Sequence, residues 1–313
     1  MLTGCLNVDH VQDENNNAPI AITVPTGATP NSMAAKLIAH GFAPDELRYK
    51  LAIRNLETSC LKAGNFRISR DMSLRVVFET LCGAPIANDV PFKVLEGWRI
   101  VEIDDALVKA KLIQPGEYAK LATNKAVDAP FEITSPTLEG YLYPETYMIS
   151  PEAFDVKAFI ERQLDHFNDN FLRLHQNDFQ QRTLSDVVIM ASMLEREEPR
   201  ASQRRVIAGI LWKRLDNAWA LGVDATSRYK LTVWNDRTAF LKMLRDKSDV
   251  YNTRLRQGLP PTAIGNPSLA SLEAALLPIE SPYWFYLHDK AGNFHGGVDG
   301  REHEANRAKY NVY

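Results

Sequence analysis

A chain of 313 residues with 45% hydrophobic and 24% charged side chains has the composition of a globular protein large enough for two domains. Its formal net charge of −3, with no long basic run, argues against nucleic acid as a partner, and no stretch approaches the roughly 18 apolar residues of a membrane span. The cysteines, Cys5, Cys60 and Cys82, are too few for a disulfide framework; at most one bridge can form, and Cys60 with Cys82 is the only pair inside sequence that reads as structured.

Taken from the start, Leu2-Thr3-Gly4-Cys5 has the form of a bacterial lipoprotein processing box with Cys5 as the acylated residue. The charged start and apolar run of a complete signal do not precede it, so lipidation at Cys5 and a chance match both stand. The polar, Asn-rich run from Asp9 to Asn17 reads as a tether or frayed terminus, which makes 1–20 a flexible segment.

Residues 21–128 contain an internal repeat. Ile22 to Gly27 predicts a strand and turn, and Ser32 to His40 an amphipathic helix. Phe92 to Gly97 and Ile100 to Lys111 repeat the pattern, with Val24, Gly27 and Leu37 falling on Val94, Gly97 and Leu107. With one residue inserted, Pro44 and Glu46 fall on Pro115 and Glu117. Between the copies lie a predicted strand, Asn65 to Ser69, and a helix, Leu74 to Cys82. The expectation is a small α+β region of strand–helix units.

The remainder, 129–313, predicts a larger mixed α+β domain with a helical centre: helices over Ala153–Leu174, Leu184–Glu198, Ser202–Asn217 and Ser268–Leu277, then a strand Tyr283–His288 and a hairpin at Asp289–Asn293. The helix at Thr183–Glu198 carries a carboxylate in a telling place. Leu184, Val188, Ala191 and Glu195 share one face, Thr183 with Asp186 forms a capping-box-like start, and Pro199 marks the stop. A glutamate continuing a core-facing stripe loses solvation, which raises its pKa and suits it to be a general acid for glycosidic cleavage. A half-exposed glutamate at a helix end is the plainer alternative. Glu197 and Glu198 project elsewhere and are expected in solvent.

LEGYLYPETY (138–147), ASMLERE (191–197), Asp224-Ala225-Thr226, YNTRLRQGLPPTAIGNP (251–267) and Glu302-His303 occur in the order of a known set. The chain resembles the endolytic murein transglycosylase (MltG/YceG-like) family, whose signatures are similar to LEGYLFPDTY, ASIVEKE, D-P-T, YNTY…GLPPGPIANPG and H…EHN. The resemblance covers nearly the whole length, and it makes residues 21–128 LysM-like and 129–313 the catalytic domain. It implies Glu195 as the acid/base for non-hydrolytic cleavage of the MurNAc–GlcNAc β-1,4 bond of peptidoglycan, leaving 1,6-anhydro-MurNAc ends and terminating nascent glycan strands. No cofactor is implied. The partners it implies are glycan strands and membrane-bound peptidoglycan synthases, at the outer face of the inner membrane in the cell envelope. A groove open on both sides of Glu195 is the matching geometric expectation.

Tyr251, Asn252, Thr253 and Asn266 are the candidate sugar contacts, and Glu139 a candidate cleft residue. Asn252 and Asn266 equally fit turns that satisfy local backbone, and Glu139 equally fits an anchor on backbone amides. Ala225 replaces the proline of D-P-T, Thr262-Ala263 departs from GLPPGPI, and Glu304 replaces the last residue of EHN. As a metal site, His288, His295, His303 and Glu302 have spacings that fit neither a helix-face pair nor a compact zinc motif. A non-catalytic peptidoglycan-binding scaffold, or a hydrolytic muramidase, is the alternative function.

Overall fold

Ile22 and Val24 point inward from strand β1 (Ile20–Val24), and Phe66 and Ile68 do so from β2 (Gly64–Ile68). The two strands pair antiparallel, with Ile20 opposite Ile68 and Val24 opposite Gly64, so one face of the ribbon is apolar and must be covered. Helices α1 (Ala34–Ala39), α2 (Glu46–Ile53) and α3 (Leu74–Cys82) supply Leu37, Tyr49, Val77, Phe78 and Leu81 to one core with Ile22, Val24, Phe66 and Ile68. Asp45 and Ser73 cap α2 and α3 through their side chains. Cys60 and Cys82 form a disulfide. Strands β3 (Val90–Lys93) and β4 (Thr146–Ile149) pair with each other. The structure, a computed structural model, describes residues 8–11, 13, 16–54, 56, 60–86, 89–179 and 181–312; Cys5 and its tetrapeptide, and part of the Asn-rich run, lie outside them.

The chain divides into two compact units, residues up to Phe92 with Thr146–Phe154, and Lys93–Glu145 with Asp155–Tyr313. That division falls after Phe92, where the sequence placed its boundary near 128. The second copy of the repeat is therefore shared out, most of it joining the larger unit. The repeat itself is visible in the backbone: β1–α1–α2–β2 is followed by β3, α4 (Ile100–Lys109), α5 (Glu117–Asn124) and β4. Gly27 and Gly97 take the same left-handed conformation, φ 75° and 76°, and Leu37 and Leu107 are both fully buried. The LysM likeness rests on sequence alone; the α+β class holds.

In the larger unit, α6 (Val156–Phe167) runs on through a π turn at Asn168–Leu172, and Phe131, Tyr141, Phe167 and Phe171 pack ring against ring beside it. Helix α7 (Leu184–Glu197) is buried on every side from Val187 to Leu194, which makes it the centre of the unit. Its Thr183–Asp186 capping box forms as the sequence predicts. Helices α8 (Ala201–Asp216) and α10 (Leu269–Leu276) pack against α7 and each other, while α9 (Arg237–Met243) lies by the short 3-10 turn Asp224–Arg228. A hairpin of β5 (Phe285–His288) and β6 (Phe294–Gly297) pairs Phe285 with Gly297 and His288 with Phe294, and α11 (Gly300–Tyr310) packs on it.

Candidate active site

Three consecutive side chains leave the end of α7 in three directions, because each helical residue turns about 100° from the last. Glu195 goes inward. Its side chain is 6% exposed and meets the guanidinium of Arg204, itself 7% exposed, at 3.0 Å. Arg204 Nη2 donates to Oε1 at 3.0 Å and Nη1 to Oε2 at 3.1 Å, a two-pronged pair that fixes both groups. Ser268, the N-cap of α10, donates to Oε2 from its backbone N–H at 2.9 Å and its hydroxyl at 2.5 Å. Arg204 Nε donates to the Glu198 carbonyl at 2.8 Å. The predicted apolar stripe is present, but the carboxylate that ends it is a clamp joining α7, α8 and α10. Its donors engage both oxygens, an arrangement the helix-face reading of Glu195 did not foresee.

Arg196 turns toward α4. It donates to Glu102 Oε2 at 3.0 Å and lies over the Trp234 ring, 4.0 Å from its centroid.

Glu197 takes the remaining direction, and as a whole residue it is half-buried, as Glu195 is. Tyr286, on β5, donates its hydroxyl to Oε1 at 3.2 Å. Burial pushes the Glu197 carboxyl up to about 7, and the charge of Asp224 adds to the rise; the Tyr286 bond and the Arg254 charge oppose it. Asp224 and Arg254 form an ion pair with each other, each more than two-fifths exposed. The Tyr286 phenol is itself held neutral by burial and by Glu197, so it remains a donor. Four separate segments therefore converge here: the end of α7, the Asp-Ala-Thr turn, the Tyr-Asn-Thr-Arg segment and strand β5. The sequence expectation of a solvated Glu197 is overturned, because these segments, distant along the chain, strip its water.

Glu198 was also expected in solvent and is fully buried. It accepts from the Arg200 backbone N–H at 2.6 Å and lies 2.5 Å from His288 Nε2.

The five candidate substrate residues are interior. Tyr251 is 8% exposed and its hydroxyl shares a hydrogen bond with Thr262 at 2.8 Å. Asn252 donates its amide to the carbonyls of Met243, Leu244 and Asp246 and accepts from Arg254 N–H, tying off the end of α9. Thr253 exchanges hydrogen bonds with Val223 and Thr226, which holds the Asp-Ala-Thr turn in place. Asn266 accepts from Gly140 and Leu142 N–H at 2.8 and 3.0 Å and donates to the Trp98 carbonyl and Glu139. Glu139, 1% exposed, accepts from Ile100 N–H, Tyr229 hydroxyl and Asn266 amide; burial pushes it up to about 8 against those donors. All five are buried, and the polar contacts described are with the protein itself. They brace the turns, and Gly140, at φ 95°, is part of the same bracing: a Cβ there would lie 2.5 Å from Ala263 Cβ and Val188 Cγ1.

The histidines disperse. His288 faces Glu198, His295 pairs with Asp289 and stacks on Tyr310, and His303 stacks on Phe285. Among the described residues no group of three or more metal-ligating side chains converges.

Glu197, Asp224, Arg254 and Tyr286 were not singled out as site residues from the sequence. One signal pointed to Glu197: ASMLERE and the family's ASIVEKE carry glutamate at both the fifth and seventh positions.

A match to the YceG-like family spans residues 22–309. The endolytic murein transglycosylase of Bacillus subtilis (strain 168) is 23% identical over 314 residues, covering 95% of this chain and 86% of that protein. The endolytic murein transglycosylase of Streptococcus pneumoniae (strain ATCC BAA-255 / R6) is 20% identical, covering 95% of this chain and 59% of that protein. Among solved structures, a putative YceG-like protein from Listeria monocytogenes has the same fold, with a TM-score of 0.61 at 24% identity over 92% of this chain and 99% of that one.

Proposed function

This chain belongs to the YceG-like family, and on that premise we propose that it is a peptidoglycan lytic transglycosylase whose acid/base is Glu197. The relatives named endolytic murein transglycosylases support a lyase acting on the cell wall. The observation that supports the residue assignment is the convergence of three family motifs and β5 on a carboxyl that accepts from the Tyr286 phenol and is pushed up to about 7 by burial. A general acid must be desolvated enough to keep its proton and open enough to meet substrate. Both Glu195 oxygens are already engaged by Arg204 and Ser268.

In the proposed reaction Glu197 gives its proton to the GlcNAc O4 as the bond from MurNAc C1 breaks. The MurNAc C6 hydroxyl oxygen then attacks C1, and the Glu197 carboxylate takes the hydroxyl proton, which restores the acid and leaves a 1,6-anhydro ring. No water is consumed, and the second carboxylate of an ordinary glycosidase is not needed as nucleophile. Asp224 raises the proton affinity of Glu197, and its negative charge also favours positive charge developing at C1. Tyr286 orients the carboxyl. Glycan strands would enter from both sides, so that the cut falls inside a chain and terminates a nascent strand beside membrane-bound synthases.

A cell-envelope location accords with the relatives, and the Cys60–Cys82 disulfide suits an oxidising compartment. No helix among the described residues is long and apolar enough to cross a membrane.

Mass analysis of muropeptides released from purified peptidoglycan by wild type and Glu197→Gln tests the reading. Anhydro-MurNAc ends made by wild type and lost in the variant are expected. Reducing ends lost in the variant would make the protein a hydrolase. No release by wild type, with glycan binding intact, would make it a scaffold.

A further inference from the structure

Beyond the acid, β5 leads to a second feature that the reaction does not use. Trp284 immediately precedes β5 and sits two residues before Tyr286, about 7 Å away along an extended chain. Trp219 stacks on Trp284, ring centroids 5.1 Å apart with planes at 28°, and Phe285 meets the Trp219 ring edge-on at 5.5 Å. Trp219 remains 42% exposed.

The pair is built, not draped. Helix α8 ends with Ala218 in the left-handed conformation, φ 52°, which costs a residue with a Cβ roughly 1–2 kcal/mol. That turn brings Trp219 back so that its N–H donates to the Arg214 carbonyl at 2.8 Å. The Arg214 guanidinium then fixes both tryptophan segments at once, donating to the Leu221 carbonyl at 2.6 Å and to the Trp284 carbonyl at 2.9 and 2.6 Å. Lys213 Nζ lies 4.9 Å from the Trp284 ring centroid. Lys213 also borders a cavity of about 490 Å³ lined further by Trp212, Asp216 and Asn217.

We propose that the Trp219–Trp284 pair is a sugar-stacking subsite of the glycan track, next along the chain to the Tyr286 phenol that holds Glu197. This rests on the reading of the chain as a peptidoglycan enzyme. The occupant follows from continuity and shape. Both segments that carry the pair lead along the chain to the acid site, Trp219 five residues before Asp224 and Trp284 two before Tyr286. A polymer seated at Glu197 and following the chain back from Tyr286 would meet these rings next. In a β-1,4-linked N-acetylhexosamine the ring substituents are equatorial, so both faces of each pyranose present C–H groups that pack on a flat aromatic surface, with hydroxyls left at the rim for water and Lys213. The subsite would recognise ring shape and chain length and leave the scissile chemistry to Glu197.

The test uses full-length protein with ¹⁵N-labelled tryptophan, titrated with β-1,4-linked GlcNAc oligomers from dimer to hexamer, the indole signals being assigned with Trp219→Phe and Trp284→Phe. We expect the Trp219 and Trp284 signals to shift with the longer oligomers. The gain in affinity from dimer to hexamer falls about tenfold in Trp219→Ala and is largely restored in Trp219→Phe, with melting temperature recorded for each variant. Hexamer binding that leaves both wild-type indole signals unmoved would overturn the subsite, and this readout needs no variant to fold. An equal affinity loss for dimer and hexamer in Trp219→Ala would also overturn it. Cleavage failure has its own readout: oligomers that shift both indoles in a protein releasing no muropeptides would keep the subsite and sink the lyase.

Discussion

Glu195 and Glu197 leave the same helix two residues apart and are both withdrawn from water, yet their surroundings are opposite. Around Glu195 the protein supplies donors with the burial: Arg204 on both oxygens and Ser268 twice on one. Around Glu197 it supplies one phenol, with an acid nearby and an arginine already paired to that acid. Burial with a full set of donors makes a structural joint, whereas burial without one makes a proton donor. Glu139 shows a third outcome, in which several donors do not overcome complete enclosure and the carboxyl rises to about 8.

Substitution at Glu197 should give the largest effect on this contrast. Glu197→Gln is expected to lower muropeptide release by about 10²–10⁴-fold, the usual contribution of a general acid, while the thermal melt stays near wild type. At Glu195 the pattern should invert. Glu195→Ala leaves Arg204 buried without its carboxylate, and urea unfolding should show a loss of about 3–5 kcal/mol. A fully stable but inactive Glu195→Ala would break the comparison and return the acid role to Glu195.

The pH dependence sharpens the same point. Glu139 and Glu197 hold protons in the folded protein up to about 8 and about 7, against an ordinary value of 4.5. The folded state therefore binds more protons than the unfolded state between these limits, and by linkage stability falls as pH rises from 4.5 toward 8. Melting temperature should drop over that window in wild type, and Glu139→Gln should flatten its upper part. Cleavage should fall as pH passes about 7, because the protonated acid is lost. The smallest effect belongs to Tyr286→Phe. It removes a donor that draws Glu197 down, so the alkaline limb of the rate profile should move to higher pH with only a few-fold change in maximal rate.

The repeat offers a second lesson about what duplication leaves free. In the first copy a Cβ at Gly27 would meet nothing, whereas in the second a Cβ at Gly97 would press on Arg196. The Gly97 N–H also donates to the Asn266 carbonyl at 2.7 Å. The same left-handed turn is a surface corner in one copy and a wall beside the end of α7 in the other. Both copies read alike in sequence, because Val, Gly and Leu at matched spacing specify the strand, turn and helix and nothing about what packs outside them.

Local order was therefore legible from residues alone: the helix of α7 with its Thr183–Asp186 box, the helix at Leu74–Cys82, the β5–β6 hairpin and the matched glycines. These depend on periodicity and neighbours within a few residues. The inward course of Glu195 was legible too, since a helix face is a property of spacing. The donors it meets were not, because Arg204 and Ser268 come from two other helices. Motif polar residues such as Asn252 and Asn266 announced importance without saying whether they face sugar or backbone, and the tertiary structure turned them to backbone. Glu197 was the converse case. Its position opposite the buried stripe suggested water, and only folding brought Asp224, Arg254 and Tyr286 around it. Sequence determined which carboxylates end the helix; the arrangement of distant segments determined which of them is answered by donors and which keeps its proton, because solvation is set by what packs in space and not by what lies next in the chain.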